Sequence, residues 1–250
     1  MQLPASRKAV FVARSRHHVA AYLALAWLVL AGIFPPVAAH AEAPINNAPK
    51  LLFLTPDAVN IANVIGAAPA PGSAVDQLDN GVLRLQQSNR SVEDCARAAA
   101  EVVHSIDNFF GPARGPLTAA EVSRLDPLFS QLVGEIKFFS NQGKSIWRRP
   151  RPYDEDRTLV PCVEKESTFA YPSGHATVSK AFAQILSKVF PERAQAFQVA
   201  ADHVAIDRVI SGLHHPSDVL AGQTLGVVIA SALLQNSKFS AALDGVAKAP

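Results

Sequence analysis

Apolar residues recur at intervals of three or four positions through most of the chain, which is the spacing of one buried helix face. No stretch alternates apolar and polar residues as a half-buried strand does. The pattern therefore predicts an all-α fold, a single-domain helical bundle. The predicted helical segments run from Asp76 to Gln87, from Cys95 towards Phe110, from Thr118 towards Lys144, from His175 to about Phe190, from Pro191 to Val209 and from Ser217 to Leu234.

Capping and breaking residues suggest where these helices begin and end. Ser91-x-x-Asp94 resembles a capping box, and Thr118-x-x-Glu121 opens another helical stretch. We expect a break at Asp126-Pro127, because Asp caps helices and Pro fits the first turn. Residues 149–172 are rich in proline and carry few periodic apolar positions, so they predict a long loop of the kind that often serves function.

The first 41 residues have the organisation of a secretory signal peptide. A basic stretch without acids precedes an apolar run from Val19 to Phe34, and small residues follow at Ala39-His40-Ala41. We predict cleavage before Glu42. The alternative is an uncleaved membrane anchor, although the run is shorter than the roughly 20 residues that span a bilayer.

The remaining chain divides into an arm and a helical domain. Residues 42–74 are rich in Pro, Ala and Asn and predict an irregular N-terminal arm with one short helix packed on the core. Residues 75–250 form the predicted helical domain. Val219–Leu234 is apolar enough to suggest a membrane span, but it is short and contains Gln223 and Thr224. It is better interpreted as a central core helix.

Charge and cysteine content narrow the class of protein. Residues 1–41 hold four of the 23 basic residues and no acid, which leaves 19 − 21 = −2 for the exported part and no footprint for nucleic acid. Cys95 and Cys162 both lie in that part, and an even count in an oxidising compartment predicts one disulfide. Two buried free thiols are the alternative. No Cys/His spacing suits zinc.

One short stretch combines flexibility, hydrogen-bond donors and a titratable group. Pro172-Ser173-Gly174-His175 leads directly into an apolar periodic segment, so Ser173, Gly174 and His175 should lie at a helix N-terminus. Free N–H groups and the helix dipole favour anions there, and a histidine exchanges protons near neutral pH. An ordinary helix cap would look the same.

Cations and a second histidine occur elsewhere in the chain. Lys144, Arg151 and Arg208 could hold phosphate, although the run from Lys144 to Arg151 also fits an exposed basic face. His214 and Asp218 are four residues apart, so on a helix both lie on one face, where the carboxylate would fix the histidine tautomer. His215 is three residues before Asp218, so the same carboxylate could fix the tautomer of His215 instead.

Taken together, these residues form three separated blocks. The blocks are Lys144-x6-Arg151-Pro152, Pro172-Ser173-Gly174-His175 and Arg208-x5-His214-x3-Asp218. In this order and spacing they resemble the signature of the type 2 phosphatidic acid phosphatase superfamily. Over roughly residues 67–240 the chain is most similar to the bacterial class A non-specific acid phosphatases. One departure is Asp207, where the family usually has Ser before the third-block arginine.

The resemblance implies a role for each matching residue. His214 would attack phosphorus and form a phosphohistidine, His175 would protonate the leaving alcohol and then activate water, and Asp218 would orient His214. The phosphoryl oxygens would be held by Lys144, Arg151, Ser173, Gly174 and Arg208. The active site would then lie at helix ends and loops of the core helices, and no metal or cofactor is expected.

The sequence therefore predicts a periplasmic phosphomonoesterase that takes a small-molecule substrate at mildly acidic pH. Its contact with a membrane would be through the signal peptide alone, and a homo-oligomer is left open. The alternatives are a phosphatase for lipid phosphates or isoprenoid pyrophosphates, a vanadate-dependent haloperoxidase on the same site, and a non-enzymatic phosphate-binding protein. The physiological substrate does not follow from the sequence.

Overall fold

The computed structural model describes residues 50–247. The predicted signal peptide, the first part of the 42–74 arm and the last three residues lie outside the described residues. Residues 50–247 contain helices and no strand, which confirms the all-α prediction. The helices are α1 (Ile61–Ile65), α2 (Ala74–Asn89), α3 (Val92–Ala100), α4 (Ile106–Phe110), α5 (Ala119–Trp147), α6 (Pro152–Glu155), α7 (Gly174–Val189), α8 (Ala194–Ile210), α9 (Pro216–Gln235) and α10 (Ser237–Ala247).

Helix α7 lies at the centre of the bundle and packs against α5, α8 and α9. Its apolar residues follow the predicted spacing and are fully buried, as are the aromatic and aliphatic residues that face them. Burying each large apolar side chain contributes roughly 1.5–3 kcal/mol. The residues at the centre of this core include Phe129, Phe139, Val178, Phe182, Ile185, Phe197, Leu225 and Ile229.

Helices α7 and α9 approach each other closely because two glycines of α9 face α7. A Cβ atom on Gly222 would lie 2.5 Å from the carbonyl oxygen of Ser173, and one on Gly226 would lie 2.5 Å from that of Thr177. From the first contact to the second, each chain advances by four residues in the same direction, so the two helices run parallel, and α9 begins more than one turn before the level of Ser173. Their N-termini are joined by the N–H of Ser173, which donates to the carbonyl of Asp218 at 2.9 Å.

Two predicted helix boundaries were wrong. Pro127 lies inside α5, because the buried face from Leu125 to Phe129 continues through it and offsets the roughly 3 kcal/mol that an interior proline costs. The helix predicted from Cys95 towards Phe110 is instead two helices, α3 and α4. It stops after Ala100, and Ser105 caps the next helix by accepting from the N–H of Asn108.

The structure adds helices that the pattern did not predict and locates the short helix of the arm. Helix α6 forms inside the predicted 149–172 loop, and α10 follows α9 with Phe239 and Leu243 buried. The short helix of the arm is α1. The irregular segment before it is held by Glu135, whose carboxylate accepts from the N–H groups of Leu52, Phe53 and Leu54.

Cys95 and Cys162 form the predicted disulfide, with Cα atoms 5.8 Å apart. It ties α3 to the loop after α6. Helix α9 is the one described helix that is long and apolar enough to cross a membrane by length and composition, and half of its most apolar stretch is buried inside the protein. Because α9 packs along α7, it forms part of the core, as the sequence predicted.

Candidate active site

The three sequence blocks meet at one end of the bundle, where helices begin or end. All of their candidate residues are buried except Gly174, which is partly exposed. The site comprises Lys144 in the last turn of α5, Arg151 directly before α6, Ser173, Gly174 and His175 at the start of α7, Arg208 near the end of α8, His214 in the following turn and Asp218 in the first turn of α9.

His214 faces the cationic side of the site through Nε2. This atom lies 3.0 Å from Nη1 of Arg151, and because a guanidinium only donates, Nε2 accepts and the ring proton is on Nδ1. Burial and the Arg151 charge lower the pKa of His214 to about 3, against the opposing effect of Asp218. The ring is therefore neutral over the physiological range, with an unprotonated nitrogen beside Arg151.

Asp218 is shared by the two adjacent histidines. Its Oδ2 accepts from Nδ1 of His215 at 3.0 Å and from the His215 N–H at 2.8 Å, and lies 3.5 Å from Nδ1 of His214. Burial alone would raise the pKa of Asp218, but its bonds to both histidines hold that pKa well below the ordinary value. Asp218 is thus closer to His215, whereas His214 is the ring that reaches Arg151.

His175 lies on the other side of the site, stacked on His104 with ring centroids 3.9 Å apart. Its Nε2 is 3.2 Å from the carbonyl oxygens of both Glu101 and Val102, so this nitrogen carries the proton in the neutral ring. Burial, followed by the nearby His104 and Arg208, lowers the pKa of His175 well below its ordinary value. In the free site His175 is therefore neutral.

The segment 166–169 holds the first-block cations. Nζ of Lys144 donates to the Phe169 carbonyl, and burial together with Arg151 lowers the pKa of Lys144 to about 7. Arg151 donates to the backbone carbonyl of Thr168 at 2.7 Å and to the carboxylate of Glu166 at 2.5 Å. Both cations are therefore fixed in position before any ligand arrives.

Arg208 has donors to spare. Its Nη2 donates to the Ala98 carbonyl at 2.7 Å and to the carboxylate of Glu101 at 2.8 Å. Its Nε and Nη1 are buried and have no hydrogen-bond partner within the described part of the chain. Buried donors are costly unless something accepts from them, so these two atoms are available to an acceptor that enters the site. A cavity of about 400 Å³ adjoins the site, lined in part by His104, Lys137, Ser140, Asn141, Glu166 and His175.

Comparison with known proteins agrees with this geometry. Residues 128–240, which include every block described above, match the family described as the PAP2 superfamily. A lipid A 1-phosphatase of Rhizobium johnstonii is 40% identical over 195 residues, covering 70% of this chain and 75% of the relative. The chain belongs to the PAP2 superfamily. The resemblance seen in its three blocks is thereby confirmed.

Other relatives of this PAP2 chain are acid phosphatases. A non-specific acid phosphatase of Providencia stuartii is 25% identical over 229 residues, covering 86% of this chain and 92% of the relative. An acid phosphatase of Zymomonas mobilis is 26% identical over 211 residues, covering 78% and 75%. Proteins similar to this one are therefore named as acid phosphatases and as a lipid A 1-phosphatase.

The unusual Asp207 of this PAP2 chain is neutralised by a partner from another helix. Both of its carboxylate oxygens accept from Arg97 of α3, at 2.8 and 2.7 Å. Arg208, the next residue, reaches Glu101 instead, as expected for helical neighbours that point about 100° apart. Asp207 therefore does not take up the Arg208 guanidinium.

The PAP2 site includes residues that the sequence pattern did not predict. Arg149, interpreted as part of a run that fits an exposed basic face, is buried and donates to Asp218 at 2.8 Å and to Asp76 at 2.9 Å. Glu101, His104 and Glu166 also contact site residues. Asp76 comes from α2 and the others from the segments after α3, α5 and α6. Nothing in their local sequence spacing indicates that the fold brings them to the site.

One described group of side chains has the ligand atoms for a metal ion. Asp76, Glu155 and His215 offer atoms within 4.8 Å of one another, next to the PAP2 site. Asp76 already accepts from Arg149, whose positive charge opposes a divalent cation, and His215 bonds to Asp218. Burial alone would lower the pKa of His215, but Asp218 and Glu155 raise it, which favours a proton there over a metal.

Proposed function

We propose that this chain is an exported acid phosphatase that hydrolyses phosphomonoesters through a phosphohistidine on His214, without a metal ion. The observation that carries the proposal is that two features occur at one cationic site. Nε2 of His214 is unprotonated, and two buried donors of Arg208 have no partner among the described residues. Phosphoryl transfer requires positioning and charge stabilisation of the phosphoryl oxygens, and these groups supply both.

In the proposed mechanism, Nε2 of His214 attacks phosphorus while the bond to the leaving alcohol breaks. Arg208, Lys144, Arg151 and the N–H groups at the start of α7 stabilise the phosphoryl oxygens. His175 gives the leaving oxygen its proton, and the same ring then takes a proton from the water that cleaves the phosphohistidine.

An acidic optimum follows from the burial of His175. Its pKa in the free site lies well below the ordinary value, so the neutral form dominates before substrate binds. A bound phosphoryl anion raises that pKa by placing negative charge beside the ring. Protonation of His175 then accompanies substrate binding and becomes harder as pH rises, so kcat/KM should fall towards neutral pH.

The test is a phosphoenzyme trap combined with steady-state kinetics. His214→Ala should lose p-nitrophenyl phosphate hydrolysis by about 10⁴-fold or more and should incorporate no label from a ³²P-phosphomonoester in rapid quench. His203→Ala, which removes an exposed histidine of α8, is the matched control. Wild-type activity should resist EDTA and be inhibited by vanadate. Retained activity in His214→Ala would overturn the mechanism.

A second candidate function, hydrolysis of lipid phosphates, is favoured by an apolar groove along α5. The groove has a volume of about 720 Å³, is lined in part by Val133, Phe138 and Ile146, and shares Lys137 and Asn141 with the active-site cavity. A phosphate ester bound at the site could therefore lay an apolar tail along α5. The 40% identical lipid A 1-phosphatase supports the same direction.

The two candidates differ in how they respond to a charge in the groove. Phe138→Asp should leave p-nitrophenyl phosphate hydrolysis within about threefold of wild type, and should lower kcat/KM for phosphatidic acid in detergent micelles by about tenfold or more if the groove binds acyl chains. Val92→Asp, at an exposed apolar position on α3, is the control. Equal effects on both substrates would exclude the groove.

A further inference from the structure

Glu166 places a carboxylate inside the cationic site. Its Oε2 accepts from Nη2 of Arg151 at 2.5 Å, and its Oε1 lies 3.9 Å from Nδ1 of His175. Glu166 is thus bonded to a cation that the phosphoryl group needs, next to the ring that serves the leaving group.

The backbone of Glu166 is fixed, and its carboxylate is held at the site by the bond to Arg151. The hydroxyl of Tyr153 donates to the Glu166 carbonyl at 2.8 Å and accepts from the Glu166 N–H at 3.0 Å. Tyr153 itself is buried. A phosphoryl group that enters must therefore bind with this carboxylate nearby.

The charged and titratable groups around Glu166 come from every element at the site. They are Arg151, His175, Lys144 of α5, His214 before α9, and Arg208 of α8, with His104 behind His175. Lys137, Glu164 and Lys165 line the same cavity. Burial would raise the pKa of Glu166, but the surrounding positive charge, including Arg151 and Lys144, outweighs it and holds that pKa at about 2. The carboxylate is ionised throughout the working pH range and offsets part of the positive charge offered to a ligand.

We propose that Glu166 is a specificity-determining residue that competes with the phosphoryl group for Arg151 and so disfavours doubly charged oxyanions. Repulsion by a fixed charge grows with the charge of the ligand, so a dianion is penalised more than a monoanion. Phosphate monoesters lose their second proton near pH 6. The site therefore prefers singly charged phosphoryl groups and releases the inorganic phosphate product readily. This inference rests on the proposed function, because it concerns the same phosphate site.

A purely structural role of Glu166 and a competing role predict opposite changes in oxyanion affinity when Glu166 is removed. If Glu166 only holds Arg151 in place, its removal leaves the guanidinium less ordered and weakens oxyanion binding. If it competes, its removal strengthens binding. Glu166→Gln keeps the shape and can still bond Tyr153 through its backbone, so it removes the charge with little change to the loop.

The experiment measures the dissociation constant of inorganic phosphate by calorimetry at pH 5 and pH 7.5, for wild type, Glu166→Gln and the control Glu93→Gln, an exposed residue of α3. Glu166→Gln should bind about tenfold tighter at pH 5 and about 100-fold tighter at pH 7.5, while Glu93→Gln stays within about threefold. Glu166 raises the pKa of Lys144, so the three proteins are compared in a Lys144→Arg background, where that position stays charged at both pH values.

Unchanged or weaker phosphate binding by Glu166→Gln would overturn this proposal and leave the phosphatase function standing. Equal tightening at both pH values would overturn the charge selectivity. If the folded wild type bound neither phosphate nor vanadate, the proposed function would fall and this inference with it. Far-UV circular dichroism and the urea midpoint establish that each variant is folded.

Discussion

Gly222 of α9 is a point where a single methyl group should disturb both stability and catalysis. In Gly222→Ala the added Cβ would lie 2.5 Å from the Ser173 carbonyl oxygen, whereas ordinary contact begins at 3.4 Å. The two helices must therefore separate by about 3.4 − 2.5 = 0.9 Å along this direction. Ser173 and Asp218 lie within one turn of the contact, so the shift reaches the site directly.

The magnitudes follow from that separation. Overpacking of this kind costs about 1–3 kcal/mol, while replacing a helical glycine by alanine returns about 1 kcal/mol, so stability should fall by about 0–2 kcal/mol. A misplacement approaching 1 Å costs on the order of 100-fold in rate, or about 2.7 kcal/mol of transition-state stabilisation. Activity should thus fall much further than stability.

The assay is kcat/KM for p-nitrophenyl phosphate beside urea unfolding of the same preparations. Gly81→Ala is the matched control, because Gly81 lies inside α2 with nothing within 4 Å of an added Cβ. It should stabilise the protein by about 0.5–1 kcal/mol and leave kcat/KM unchanged. If Gly222→Ala behaved like Gly81→Ala, the close approach of α7 and α9 would not position the site, and the reasoning would be refuted.

Three further predictions concern charges. Arg97→Met leaves the buried Asp207 carboxylate unpaired. Because Arg97 is partly exposed, we expect the free energy of unfolding to fall by only about 1–2 kcal/mol. Adding Asp207→Ser should recover most of that loss, as measured by urea unfolding. Lys144 loses its proton as pH rises through about 7, so wild-type phosphate affinity should weaken above pH 7, whereas Lys144→Arg stays charged and should weaken less over the same titration. Glu135→Ala removes the acceptor of three backbone N–H groups and should cost about 2 kcal/mol, with faster proteolysis of the segment before α1; unchanged cleavage would contradict this.

The helices were predictable because the three- or four-residue spacing of buried apolar residues is visible in a short stretch of sequence. This pattern located the main helices of residues 75–247 to within a few residues. Pro127 shows where local rules fail: packing on a continuous apolar face outweighed a helix breaker. After Ala100 the error was the reverse: a continuous helix was predicted where the structure has a break. The helical spacing of apolar residues continues across this segment, although its backbone carbonyls face His175.

The candidate site was predictable only where its residues belong to sequence blocks. His175, His214 and the three cations meet as the resemblance implied. Glu166, by contrast, reaches Arg151 only because the loop folds back over α6. Such contacts depend on tertiary structure and leave no periodic signal in the sequence.

The disulfide has a consequence for when the protein becomes active. It anchors α3, whose last turn carries the Ala98 carbonyl that, with Glu101, holds Arg208. If the chain is exported as proposed, the newly made chain in a reducing cytosol would lack this anchor, so its proposed phosphate site should form poorly before export. The cell's own phosphate esters would then be spared during synthesis. Weaker vanadate binding by the thiol-reduced chain than by the oxidised chain is the measurement that checks this.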